Sequence, residues 1–136
     1  MQSNPIQTET VLASGAITAH RAVTFAGAQA TVQGEKVQGV SRTDAEDGKN
    51  VAVDTMGTTI IETGAAISNG DSLIVDAQGR AIPVTGALAV AAGGTAVTST
   101  AANGSILTGA DLPEFVFADA KASAAGAGEL IKIKLR

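Results

Sequence analysis

Leu130-Ile131-Lys132-Ile133-Lys134-Leu135-Arg136 is the stretch that decides the fold. Ile131, Ile133 and Leu135 fall on one face, and Lys132, Lys134 and Arg136 on the other. A period of two with one apolar face describes a half-buried β-strand. On a helix the same charges would spread around the whole cylinder, leaving no face to bury. Gly126 and Gly128 supply the turn that leads into this strand.

Short segments of the same kind recur upstream, punctuated by Gly, Asn and Asp. Ile6 to Leu12 reads as extended, with Pro5 marking its start. Arg21 to Phe25 and Lys36 to Ser41 read the same way, the latter interrupted by Gly39. Val51 to Asp54 and Thr58 to Glu62 flank Met56-Gly57 and read as a hairpin. Ser72 to Asp76 and Arg80 to Pro83 flank Ala77-Gln78-Gly79, a second hairpin with Gly79 at a left-handed position. Single helical turns are expected at Thr43 to Asp47, capped by Thr43 and ended by Gly48, and at Ala65 to Asn69 before Gly70. Thr85 to Thr108 is rich in Ala, Gly, Thr and Ser. Leu88, Val90, Val97, Ile106 and Leu107 interrupt it, which favours ordered strands and loops over a flexible linker. Many short strands at close spacing predict an all-β domain, a small antiparallel sandwich or barrel of jelly-roll-like or β-clip-like form, with little helix.

The chain has 136 residues, enough for a single domain over 1–136. Aromatic residues make up 2%, with no Trp or Tyr, against an apolar fraction of 45%. Core burial therefore falls to Val, Ile, Leu, Ala and the three Phe residues. A small domain built from small side chains gains stability from self-association or from docking on a larger surface.

Net charge is −4 and the isoelectric point about 4.8. An acidic chain with no basic patch is a poor ligand for nucleic acid. No stretch reaches the roughly 18 apolar residues that span a bilayer, and no basic amphipathic helix suggests a membrane surface. Met1 to Pro5 lacks the basic start and apolar run of a signal peptide, so synthesis in a cytoplasm is expected. Without cysteine there are no disulfides and no thiolate ligands.

The residues offer little reaction chemistry. His20 is the one histidine, and beside Arg21 it reads as a surface or turn residue. No Gly-x-Ser-x-Gly elbow is present. Asp44, Glu46 and Asp47 cluster without the spacing of a calcium loop, and read as a solvated turn. Gly93-Gly94 lacks the Lys-Ser/Thr of a phosphate loop, and Gly126-Ala127-Gly128 is followed by a strand rather than a helix. No enzyme, metal or cofactor is expected, and with so few aromatics no base-stacking surface.

Several segments in order resemble the cement, or head decoration, proteins of tailed bacteriophages. They are Arg21 to Gly27, Gln38 to Ala45, Gly48 to Asp54, Gly57 to Glu62, Gly64 to Asp71, Asp76 to Pro83 and Ala122 to Ile131. Each is mostly turn chemistry, and their order and spacing carry the likeness over about three quarters of the chain. Residues 85–111 depart from the pattern and read as an expanded Ala/Gly/Thr-rich connection. The resemblance implies a virion protein, made in the host bacterial cytoplasm, that binds the outer capsid surface. There it bridges major capsid subunits and stabilises the expanded head. A homotrimer is favoured, with a dimer as the alternative. Contacts are expected at Asn4, Pro5, Ile6 and Thr8 in an arm over residues 1–9, read either as an added edge strand or as a frayed terminus. Leu88, Val90 and Val97 are the other expected contacts, in a stretch read either as a packing surface or as an exposed loop. A carbohydrate- or surface-binding β module of a phage tail or fibre is the competing reading, weakened by the scarcity of aromatic platforms.

Overall fold

The structure is a computed structural model that describes residues 2–85 and 114–136. The described residues form eight strands and no helix: β1 (Asn4–Leu12), β2 (Ala22–Thr24), β3 (Val37–Ser41), β4 (Asn50–Glu62), β5 (Ser72–Val75), β6 (Ala81–Pro83), β7 (Ala118–Ala120) and β8 (Leu130–Leu135). All strand pairs are antiparallel, in the order β2-β3-β4-β8-β7-β5-β6, with β1 added to β4. The ends of this path meet. Ala22 in β2 donates its N–H to the Gly79 carbonyl at 2.8 Å, and Gly34 donates to Val75 at 2.9 Å. The sheet is therefore a nearly closed, barrel-like body, which leaves little of the path's terminal edges unprotected.

β8 shows why the alternation mattered. Ile131, Ile133 and Leu135 are buried, Lys134 is exposed and Lys132 lies between. The buried three join Val40, Ile61, Leu73, Val75 and Phe117 in the larger core cluster. A smaller cluster of Ala13, Ile17, Val23, Val51 and Val53 packs under the first half of β4.

Two expected features are corrected. Val51 to Glu62 is not a hairpin but part of one continuous 13-residue strand. Gly57 does take a turn-type φ of +95°, yet the chain runs straight on. The reason is tertiary: a Cβ at Gly57 would lie 2.6 Å from the Ile6 nitrogen and 2.7 Å from the Asn4 carbonyl oxygen. This glycine admits β1 rather than reversing the chain. The helical turns at Thr43–Asp47 and Ala65–Asn69 are also absent. Ala45 forms a β-bridge with Ile17, and Ile67 one with Ala124. Asp44 and Asp47 accept from the backbone of Ala19 and Gly15, at 2.7 and 2.9 Å, instead of capping a helix. The β5–β6 hairpin forms as expected, with Gly79 at φ +77°.

Candidate functional site: a strand edge and a forked groove

β1 lies along β4 from Asn4↔Thr58 to Leu12↔Asn50. Its ladder carries two compensating irregularities, between Pro5 and Gln7 and between Gln7 and Thr8. The first leaves Ile6 without a partner and the second does the same to Thr55, so the register is restored beyond them. Ile6 is 78% exposed, the largest exposure of any bulky apolar side chain described. Asn4 donates its N–H to the Thr58 hydroxyl at 2.8 Å. Thr8 donates its hydroxyl to Asp54 at 2.8 Å. β4 is the one strand that pairs with β1 among the described residues, so the other edge of β1 carries no strand among them. The four expected contact residues in the arm thus sit together on one ordered strand of the chain's own sheet. Leu88, Val90 and Val97 lie outside the described residues.

Beneath the arm, Asp54 is almost fully buried. Its carboxylate accepts from Thr8 and Thr59, at 2.8 and 2.7 Å, and meets Arg42 at 3.4 Å. A buried charge needs this degree of pairing. His20 borders the same small depression of about 90 Å³, with Arg42, Ser3 and Thr59. Its backbone is left-handed at φ +61°, and its Nδ1 lies 3.3 Å from the Ile60 carbonyl oxygen. The histidine is thus a turn residue set against β4.

On the far side of β4 the sheet forks. Asp54 is paired with Thr8 and Val40, and Thr58 with Asn4 and Lys134. Since a strand residue has two edges and β1 takes one, β3 and β8 share the other. β3 pairs there at Val53 and Asp54, and β8 from Thr58 onward. Thr55 to Gly57 lies in the gap. Gly39 lets β3 close on β4 at the fork, because a Cβ there would lie 2.1 Å from the Asp54 carbonyl oxygen.

A groove of about 240 Å³ opens at this fork. Val37 to Gly39 form one wall, Leu135 and Arg136 the other, with Thr55 between them and Phe25 and Phe115 to Phe117 around it. Phe25 is 66% exposed and Phe115 45%, so two of the three phenylalanines lie outside the core, contrary to the expectation that all three serve it. Lys36 sits over the Phe25 ring at 5.6 Å, a cation–π distance. Sequence reasoning missed this groove. The signal available was a pair of phenylalanines beside turn residues in a chain almost free of aromatics.

Fold and surface define a small all-β module with an added strand, β1, that bears an exposed Ile6, and an apolar groove at the fork of its sheet. Residues 1–111 match the phage cement protein family, and the chain belongs to it. It is a phage structural protein, and its family is not an enzyme class. Among solved structures, the head fiber gp8.5 N base of bacteriophage phi29 has the same fold, at TM-score 0.63 and 17% identity. That alignment covers 96% of this chain and 93% of the other. No curated protein gives a significant sequence match.

Proposed function

We propose that the protein binds the outer surface of the expanded phage head and stabilises it by bridging major capsid subunits. Family membership over residues 1–111 carries this reading. The exposed apolar side chains support it, since Ile6, Leu12, Phe25, Met56 and Phe115 each offer area to a partner. A homotrimer suits the role, because several weak patches on one particle multiply into tight attachment. Asn4, Pro5, Ile6 and Thr8 on the arm, with Leu88, Val90 and Val97, are the proposed contacts with the capsid or with neighbouring copies. Binding only to the assembled shell stabilises that shell by mass action.

The test mixes purified protein with expanded, undecorated heads of the parent phage. Saturable binding at a fixed ratio to the major capsid protein, with raised resistance of the heads to heat, is expected. Heads that take up no protein overturn the reading. Light scattering on the free protein distinguishes trimer from dimer.

A further inference from the structure

We infer that the forked groove is a docking pocket for a segment of the major capsid protein that presents a large apolar side chain next to a carboxylate. The inference rests on the capsid-binding reading and assigns it a site. Three observations carry it. Phe25 and Phe115 are the chain's two exposed phenylalanines, and they flank one groove. Exposed aromatics around a concave apolar floor are the usual anchors of an interface. At about 240 Å³ the groove falls below the roughly 300–1,000 Å³ of small-molecule pockets, and suits one or two inserted side chains.

Charge specifies the occupant further. The charged residues lining the groove are Lys36 and Arg136, both cations, in a chain whose net charge is −4. Arg136 is held by both carboxylate oxygens of Asp119, at 3.0 and 2.8 Å, which leaves Lys36, over the Phe25 ring, as the cation that a partner carboxylate would meet. A carboxylate beside the inserted apolar group complements this rim. The fork also explains why the groove persists. β3 and β8 diverge from one edge of β4, with Gly39 held against the Asp54 backbone. The pocket is thus shaped by the sheet before any partner arrives, which lowers the ordering cost of binding.

The test titrates undecorated heads with wild-type protein and with three variants, each checked for an unchanged thermal transition. The double variant Phe25→Ala/Phe115→Ala is expected to bind at least about tenfold more weakly. Lys36→Glu is expected to bind more weakly and with a smaller salt dependence. Lys121→Ala, outside the groove, is expected to match wild type. Equal binding by all variants sinks the groove assignment and leaves the capsid reading intact. Failure of the wild-type protein to bind overturns both. A photo-reactive amino acid at position 25 supplies a second readout that tolerates loss of stability in the alanine variants. A cross-link to a capsid-protein segment supports the assignment. A cross-link to a second copy, or to residues 86–113 of the same chain, overturns it.

Discussion

Thr8 in β1 donates its hydroxyl to the Asp54 carboxylate at 2.8 Å, and Asp54 is only 1% exposed. The N-terminal strand is thereby held to a buried charge in the longest strand of the sheet. An arm that the sequence leaves open to fraying is instead tied down by a group that itself needs the arm. Removing either partner affects the other.

Thr8→Val is therefore expected to lower stability by about 1.5–3 kcal/mol, the range for losing one hydrogen bond to a charged group. Asp54→Ala is expected to cost more, about 3 kcal/mol or above, because it strands the Thr59 hydroxyl and Arg42 and opens a cavity. Urea denaturation measures both. Equal, near-zero effects would show that Asp54 needs no partner from the arm.

Gly57→Ala introduces a Cβ within 2.7 Å of the β1 backbone, at a φ of +95°. The expected outcome is local: amides of Asn4 and of Ile6 to Thr8 lose hydrogen-exchange protection while those of β8 keep most of theirs. A global loss of at least about 1 kcal/mol accompanies it from the left-handed backbone alone.

In β8 the two faces predict opposite sensitivities. Ile133→Ala, at a fully buried position, is expected to cost about 2–5 kcal/mol. Lys134→Ala, on the exposed face, is expected to stay within about 0.5 kcal/mol of wild type. Chemical denaturation of the pair reads the alternation directly.

Asp119 gives the acid limb of the stability curve. A hydrogen bond from Arg136 holds its carboxyl below the ordinary value of 3.8, with further help from the charges of Arg136 and Lys134. A carboxylate whose pKa is lowered on folding stabilises the protein above its unfolded pKa. That contribution fades as pH falls below about 3.8 toward the lowered folded value. Asp119→Asn is expected to flatten the stability–pH profile in that acid window and leave its slope near neutrality unchanged. An unaltered acid limb in the variant would argue against the pairing.

The strands most legible in the sequence were those whose evidence is local. Ile131, Ile133 and Leu135 announce a buried face by alternation, and Gly79 marks the turn between β5 and β6. The first strand, Asn4–Leu12, was readable over Ile6 to Leu12 from Pro5 and the extended run after it. The groove was not readable, because its walls come from β3, β8 and the Phe115–Phe117 segment, which are far apart in the chain.

The sequence by itself determined an all-β chain, the placement of most strands and the turn character of His20. Those features depend on backbone preferences and side-chain periods within a few residues. Only the tertiary structure decided that β4 runs unbroken through Gly57, that Ala45 and Ile67 bridge to distant segments, and that β3 and β8 fork to leave Phe25 and Phe115 in the open. Which strand edge meets which, and where a pairing stops, is set by contacts between residues remote in sequence, and no local pattern encodes that choice.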